Sequence, residues 1–175
     1  MQMLYTTFDS PIGELLLAGD GQSLHHLHMQ EGKTRIDVRD GWEEAAEPFD
    51  AVREQLNDYF AGRRTRFDVP LTMTGSAFQR RVWSELRKIP YGESISYGEL
   101  AQRIGIPSAA RAVGTANGLN PVAVIVPCHR VIGADGSLTG FGGGLERKRF
   151  LLDLEAGALT LDNSLASLAP LNTTT

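Results

Sequence analysis

The sequence predicts an α+β fold in two parts, a small N-terminal domain with a short antiparallel sheet and one helix, and a mainly helical C-terminal domain. Short strand-like segments separated by turn residues fill the start of the chain. Helical periodicity dominates from Ser76 onward, and 175 residues are enough to bury such a core. We place the two domains at residues 1–72 and 76–156, and we expect a loosely attached tail at 157–175.

The N-terminal domain begins with three predicted strands joined by turns rich in Gly, Asp, Ser and Pro: Met3–Phe8, Glu14–Ala18 and Leu24–Met29. The polar residues 31–47 are predicted to form a loop. A helix that ends at Gly62 follows, because apolar residues recur at helical spacing: Phe49, Val52, Leu56, Tyr59 and Phe60. Thr65–Leu71 is predicted as a further strand, and Thr72–Gly75 as the linker.

Two capping-box sequences mark helix starts in the C-terminal domain, Ser76 with Gln79 and Ser96 with Glu99. The first helix has a regular apolar face: Phe78, Val82, Leu86 and Ile89. The second helix runs to about Ile104, and a third opens at Pro107 and runs to about Asn117. Two short helices joined in this way are typical of a helix-turn-helix, so we expect a winged-helix-like domain.

The rest of the C-terminal domain alternates between buried and glycine-rich segments. Val122–Val126 is almost entirely apolar and is predicted to be a buried, strand-like segment. Gly133–Gly144 is predicted to be a loop. Leu145–Glu155 is predicted to return to helix with four apolar positions: Leu145, Leu151, Leu152 and Leu154.

Composition and charge restrict the function classes. With 42% hydrophobic and 22% charged residues, the chain is typical of globular proteins, and it lacks the roughly 18-residue apolar run of a membrane helix. The first residues lack a secretory signal pattern, so we expect a cytoplasmic protein. Residues 1–75 carry seven basic and thirteen acidic side chains, and residues 76–155 carry ten and seven. A polyanion would therefore prefer the second half.

A candidate nucleophile lies directly after the buried apolar segment. Cys128 is the single cysteine, so no internal disulfide can form. A thiol reacts as its thiolate, and an adjacent histidine can remove the proton. His129 is such a neighbour, and Arg130 adds positive charge. Glu155 is the carboxylate that we expect to orient His129. In most proteins, however, a lone cysteine is a small buried hydrophobe.

The segment Pro127-Cys128-His129-Arg130-Val131 resembles the active-site motif of the O6-alkylguanine-DNA alkyltransferase family. The resemblance is strong over residues 76–156, and its further segments follow in the family's order: Tyr91–Tyr97, Ala110–Gly114, Asn120-Pro121, Gly143-Gly144-Leu145, Lys148 and Leu151–Glu155. In the N-terminal half the layout is similar, including the Ser10-Pro11-Ile12-Gly13 turn.

This resemblance implies a repair protein that moves the alkyl group of O6-alkylguanine, and also of O4-alkylthymine, irreversibly onto Cys128, once per molecule and without a cofactor. It implies His129 as the base, Glu155 as its partner and Tyr97 as the donor to a guanine ring nitrogen. Asn120 would link the recognition elements to the active-site turn.

The implied partner is double-stranded DNA containing O6-alkylguanine. The protein is expected to be monomeric in solution, to bind DNA cooperatively and to have no contact with a membrane. The damaged base has to leave the stack before a thiol can reach it, and Arg111 would fill the vacated space. The other residues implied at the DNA are Tyr97, Ala112, Gly114 and Arg130, the small ones permitting close approach to the minor groove.

The alkylguanine pocket implied by the resemblance is formed by Val131, Phe141, Gly142 and Gly143, with carbonyls at Cys128 and Val131 reading the guanine amino group. Here the chain departs from the family, because Phe141-Gly142 stands where a tyrosine and a serine are common. Zinc is known in the N-terminal half of some members, but this chain has no cysteine there. We therefore expect no metal, and we expect ordinary surface roles for His25, His26 and His28.

Four alternative functions remain to be weighed. A non-reacting alkyl-base sensor of the same family would lack Cys128, and a helix-turn-helix regulator would need a more basic recognition helix. A Cys-His-Glu hydrolase would need an oxyanion hole and would turn over. A methyltransferase that uses a diffusible donor would need an N-terminal nucleotide-binding glycine loop, which is absent from the sequence.

Overall fold

The computed structural model describes residues 1–159, so most of the tail predicted at 157–175 lies outside the described residues. The α+β class is confirmed. The N-terminal half contains a sheet in the order β3-β2-β1-β4, formed by β1 (Leu4–Ser10), β2 (Gly13–Gly19), β3 (Leu24–Met29) and β4 (Glu43–Glu44). The first three strands are antiparallel neighbours, as predicted, whereas β4 is parallel to β1.

The turn that joins β1 and β2 is compact because the Ser10 side chain and the conformation of Gly13 stabilise it. Ser10 pairs with Gly13, and the Ser10 hydroxyl donates to the Gly13 carbonyl at 2.7 Å while it accepts from the Ile12 amide at 3.1 Å. Gly13 has a φ of 98°, a conformation that glycine adopts without the steric cost of a side chain.

Strand β4 lies inside the segment predicted to be only a loop. Its two glutamates are exposed, so no hydrophobic alternation marked it as a strand. The helix α1 (Asp50–Phe60) follows a short 3-10 turn, as its apolar spacing predicted, and buries Val52, Leu56 and Tyr59.

The strand predicted at Thr65–Leu71 is wrong. Only one bridge forms there, between Leu71 and Leu24. The Leu24 amide donates to the Pro70 carbonyl at 2.8 Å, but Pro70 itself has no N–H for a continuous ladder. The Gln55 side chain instead bonds both backbone groups of Asp68, at 2.8 and 2.9 Å.

The C-terminal half contains the three predicted helices, α2 (Ala77–Leu86), α3 (Tyr97–Arg103) and α4 (Ala110–Gly118), but α4 begins three residues after the predicted start at Pro107. Ser76 and Gln79 form both bonds of the capping box. Ser96 accepts from the Glu99 amide, which is only half of the second predicted box. Helix α3, a turn at Gly105 with a φ of 81°, and α4 form the helix-turn-helix.

Val122–Val126 is buried as predicted, but it is not a strand. Val122 forms a single bridge with Leu27 of β3, and the chain then turns. The Ile125 amide donates to the Ala123 carbonyl at 2.8 Å, and Val124 between them has a φ of 70°. This conformation is costly for a β-branched residue, and it occurs four residues before Cys128.

After Cys128 the chain forms β6 (Val131–Ile132), which pairs in parallel with β5 (Ile95–Ser96), and then the predicted loop. Helix α5 (Leu145–Glu155) has the predicted bounds and only part of the predicted apolar face, since Leu151 is fully buried. Leu145 is 48% exposed, whereas three charged side chains are buried: Arg147, Lys148 and Glu155. The reason is that this face of α5 lines the candidate site.

Both halves contribute to one hydrophobic core, which includes Leu27, Leu56, Trp83 and Val126. Trp83 also donates its indole N–H to the Ala116 carbonyl at 2.8 Å, which ties α2 to α4. None of the helices within residues 1–159 has the length and apolar character needed to cross a membrane.

Candidate active site around Cys128

The candidate nucleophile lies at the start of a buried 3-10 turn, Cys128–Arg130. The thiol is free and 7% exposed. Burial raises the pKa of Cys128, while the Asn120 side chain and the charge of Lys148 act in the opposite direction. The site is therefore one in which neighbouring groups have to stabilise the thiolate.

Asn120 holds the turn that precedes Cys128. Its side-chain N–H donates to the Val126 carbonyl at 2.7 Å, and its side-chain oxygen accepts from the Val122 amide at 3.0 Å. Both ends of the strained turn at Val124 are thus fixed by one buried side chain. This placement agrees with the linking role expected of Asn120.

The predicted contact between His129 and Glu155 is present. His129 Nε2 lies 2.7 Å from Glu155 Oε2, and both side chains are almost completely buried. The carboxylate can only accept, so Nε2 carries the proton and donates it to this bond. His129 Nδ1 has no partner among the described residues. Burial lowers the pKa of His129, against the opposing effect of Glu155, so the ring is a neutral base with Nδ1 free to accept a proton.

Arg130 was expected to contact DNA, and the structure corrects this location. Its side chain is 8% exposed and pairs with Glu155 through Nε at 2.8 Å and Nη2 at 3.0 Å. Nη1 donates to the Ile89 carbonyl at 2.7 Å. A guanidinium with these buried bonds is directed into the protein, so Arg130 cannot present its charge to a phosphate backbone.

Tyr59 is a site residue that was predicted from the sequence only as an apolar position of its helix. It belongs to α1 in the other half of the chain, and its hydroxyl donates to Glu155 Oε2 at 2.6 Å. The Gly92 amide lies 3.3 Å from Oε1. Hydrogen bonds from His129 and Arg130 contribute to a lowered pKa of Glu155 despite its burial, so the carboxylate stays ionised. The available signal was that a buried tyrosine needs a hydrogen-bond partner.

Asn117 is a second residue that was missed. Its side-chain N–H lies 3.3 Å from the Cys128 carbonyl, which also accepts from the Val131 amide. Val131 itself is fully buried. The Cys128 carbonyl, expected to read the guanine amino group, therefore already accepts two hydrogen bonds.

A narrow cavity opens beside Cys128 and is lined by the predicted pocket residues Phe141, Gly142 and Gly143. Residues of the N-terminal half close it, because Thr34 and Met29 line the cavity and the Lys33 amide donates to the Gly142 carbonyl at 2.8 Å. The centre of a water molecule can reach about 20 Å³ of it, which is room for about one water. This space is smaller than a purine.

The residues predicted at the DNA lie on the helix-turn-helix. Arg111 and Ala112 are exposed near the start of α4. Tyr97 is half-buried, and its hydroxyl donates to the Thr139 carbonyl at 3.1 Å. A Cβ placed on Gly114 would lie in van der Waals contact with the Tyr97 ring, at 3.5 Å, so α4 packs directly beside Tyr97.

The histidines of β3 contact each other and their neighbours. His26 Nδ1 lies 3.3 Å from His28 Nε2, and His25 pairs with Asp20 at 3.3 Å. Across residues 1–159, no group of three or more His, Cys, Asp or Glu side chains is placed to hold a metal ion.

Comparison with known proteins gives matches over nearly the whole chain. Residues 3–73 match the "6-O-methylguanine DNA methyltransferase, ribonuclease-like domain", and residues 77–157 match the "6-O-methylguanine DNA methyltransferase, DNA binding domain".

Two relatives with similar sequences have the same name. The methylated-DNA–protein-cysteine methyltransferase of Methanosarcina acetivorans is 54% identical, over 87% of this chain and 98% of its own. The protein of the same name from Mycobacterium bovis is 56% identical, over 92% and 97%. A crystal structure of Mycobacterium tuberculosis OGT in complex with DNA superposes with a TM-score of 0.86 at 55% identity, and covers 93% of this chain and 99% of that one.

Proposed function

The chain belongs to the 6-O-methylguanine DNA methyltransferase family, and from this premise we propose that Cys128 is the residue that receives the alkyl group. The protein repairs DNA by transferring an alkyl group from damaged DNA to a cysteine, the activity of its close relatives. Its sequence contains one cysteine. A thioether is a stable product, so each molecule reacts once.

The buried relay of Cys128, His129 and Glu155 beside a narrow cavity is the observation that carries this proposal. The thiol proton passes through a water molecule to His129 Nδ1, which has no other partner within residues 1–159. Glu155, 2.7 Å from Nε2, stabilises the imidazolium that results. Arg130 and Tyr59 keep the carboxylate ionised and in place.

In the transfer step, the thiolate attacks the alkyl carbon on the side opposite the guanine oxygen. The carbon–sulfur bond forms as the carbon–oxygen bond breaks, and the electron pair of the broken bond stays on the departing guanine. Tyr97 gives its hydroxyl proton to a ring nitrogen of the departing guanine, so guanine leaves neutral, and the tyrosinate regains a proton from the His129 imidazolium through solvent. The half-buried position of Tyr97 next to Gly140, which lines the cavity, supports this role.

The damaged base reaches Cys128 after rotating out of the duplex, at a cost of a few kcal/mol. Arg111 fills the space that the base leaves, and the exposed small residues at the start of α4 face the minor groove. The wall formed by Phe141, Gly142 and Gly143 separates from Thr34 to admit the base.

A Cys128→Ser variant tests this assignment, because serine keeps the size of the side chain and is a far weaker nucleophile. We expect it to lose transfer from an O6-methylguanine duplex in a single-turnover assay, while its affinity for that duplex, measured by fluorescence anisotropy, is kept. Repair of the lesion by the serine variant would show that another group is the acceptor. Loss of both transfer and binding would point to a structural role of the thiol.

A further inference from the structure

A wide groove lies beside the active-site turn, where the two halves of the chain meet, and it is separate from the cavity beside Cys128. Pro127 and Arg130 line the groove, whereas Cys128 between them lines the cavity. The two spaces share no lining residue, and no lining residue of the groove belongs to α3 or α4. The centre of a water molecule can reach about 770 Å³ of the groove, against about 20 Å³ of the cavity. The proposed transfer step does not use this groove.

The floor of the groove is apolar and partly aromatic. Ile89 and Ile125 are buried beneath it, and Phe67 and Tyr91 are half-buried. The buried ring of Tyr59 packs against both aromatic residues, with centroids 5.3 Å from Phe67 and 6.2 Å from Tyr91. The two aromatic rings are therefore held in place while part of each stays accessible.

The rim of the groove is positively charged. Arg66, Arg87 and Lys88 line it, and all three are exposed. Lys88 pairs with Glu85 at 3.1 Å, whereas Arg66 and Arg87 form no ion pair within residues 1–159. Three cations and one carboxylate leave an excess of positive charge here, in a chain whose net charge is −4. The rim therefore favours an anionic occupant.

A single strand of nucleic acid matches both the rim and the floor. Its phosphates can form bidentate hydrogen bonds with the guanidinium groups of Arg66 and Arg87. Its unpaired bases can stack on the rings of Phe67 and Tyr91. A duplex keeps its bases stacked on one another, so it would leave the aromatic floor unused. We propose that this groove is a second DNA-binding surface, which holds single-stranded DNA with its phosphates on the rim and its bases on the floor. The proposal does not depend on transfer to Cys128.

The test of the rim is the binding of labelled oligothymidine, measured by fluorescence anisotropy over a range of salt concentrations. Oligothymidine does not pair with itself and carries no alkylated base, so binding is measured without transfer. Arg66→Ala and Arg87→Ala should each make the slope of log K against log salt less steep by about 0.7, the value for one phosphate contact of a single strand. Arg149→Ala is the matched control and should leave the slope unchanged, because it removes an exposed arginine of α5 that forms no ion pair within the described residues.

Tyr91→Leu tests the floor, because it removes the aromatic face and keeps an apolar side chain. We expect its affinity for oligothymidine to fall at least about fivefold, the lower end of the effect of stacking on one base, with the salt slope unchanged. Tyr91→Phe keeps the ring and should bind like the wild type. Unchanged salt slopes in the two arginine variants, or an unchanged affinity in Tyr91→Leu, would overturn the proposal.

Three further measurements separate the groove from other binding sites. Wild-type protein saturated with unmodified duplex should still bind oligothymidine, and displacement by the duplex would refute a separate surface. Self-association of the wild type without DNA that Arg87→Ala abolishes, measured by sedimentation, would identify a second copy as the occupant and likewise refute the proposal. If the variants are not folded by near-ultraviolet circular dichroism, the wild type is cross-linked to oligothymidine by ultraviolet light and mapped by peptide. Cross-links at Phe67 or Tyr91 support the proposal, and cross-links confined to residues 97–118 refute it.

Discussion

The hydrogen bond from Tyr59 to Glu155 connects the N-terminal half to the active-site relay, and Tyr59→Phe removes only that bond. The donor and acceptor atoms are 2.6 Å apart, and the tyrosine is fully buried. A hydrogen bond to a charged group contributes about 1.5–3 kcal/mol to stability. Phenylalanine keeps the ring, so little packing is lost. We therefore expect the free energy of unfolding to fall by about 1.5–3 kcal/mol.

The assay is urea unfolding followed by tryptophan fluorescence, with Tyr91→Phe as the matched control. The Tyr91 ring packs edge-on against Tyr59 with centroids 6.2 Å apart, and its hydroxyl makes no hydrogen bond within residues 1–159. The control should change stability by at most about 0.5 kcal/mol. Equal losses in the two variants would refute the assigned role of the Tyr59 hydroxyl.

The same variant makes a kinetic prediction. Without the tyrosine donor, Glu155 interacts more strongly with the His129 imidazolium, so the pKa of His129 rises above its wild-type value. His129 is a base only when neutral, and the acid limb of the transfer rate should therefore move to higher pH. A pH profile that coincides with the wild type would show that the hydroxyl does not influence the base.

Three further changes have defined outcomes. Glu155→Gln leaves Arg130 buried without its carboxylate and should cost about 3–5 kcal/mol in urea unfolding, whereas the exposed Glu146→Gln should be near neutral. Because the folded pKa of Glu155 is lowered, its contribution is complete above about pH 4.3, the unfolded value, and decreases as the pH falls towards the folded pKa; the Gln variant should lack this acid dependence. Gly19→Ala should cost about 1–3 kcal/mol by overpacking, since its Cβ would overlap the Ser23 backbone carbonyl, while Gly118→Ala, which has open space, should not destabilise. Arg111→Ala should slow repair of duplex DNA much more than it weakens binding, and the exposed Arg63→Ala should do neither; equal effects of the two changes would remove Arg111 from the extrusion step.

The fold was largely predictable from the sequence where local rules decide the structure. The strands flanking Ser10–Gly13, the capping box at Ser76 and the helical spacing before Gly62 all depend on short-range patterns, and each element formed. The strands predicted at Thr65–Leu71 and Val122–Val126 failed for another reason. Both segments have the apolar or extended character of a strand. Their backbone groups, however, form hydrogen bonds with β3 or with nearby side chains instead of a continuous ladder, and a local sequence pattern cannot reveal those partners.

In the candidate site, too, local patterns were predictive and long-range contacts were not. The pairing of His129 with Glu155 was predicted, because the motif and the helix end point to it, and the contact is present. The burial of Arg130 and the participation of Tyr59 were not predicted. Both follow from the buried Glu155 carboxylate, which accepts hydrogen bonds from residues that are far apart in the chain. Hydrogen bonds from distant residues to a buried charge do not produce a periodic pattern in the sequence, so a local pattern cannot predict them.

The most direct measurement of the central claim is an intact-mass titration of the protein with excess duplex DNA that carries O6-methylguanine, followed by peptide mapping. We expect a gain of one methylene mass per molecule, located on the peptide that contains Cys128, with no further repair once every molecule has reacted. Unmodified protein after the lesion has been repaired, or repair that continues beyond one lesion per molecule, would contradict it.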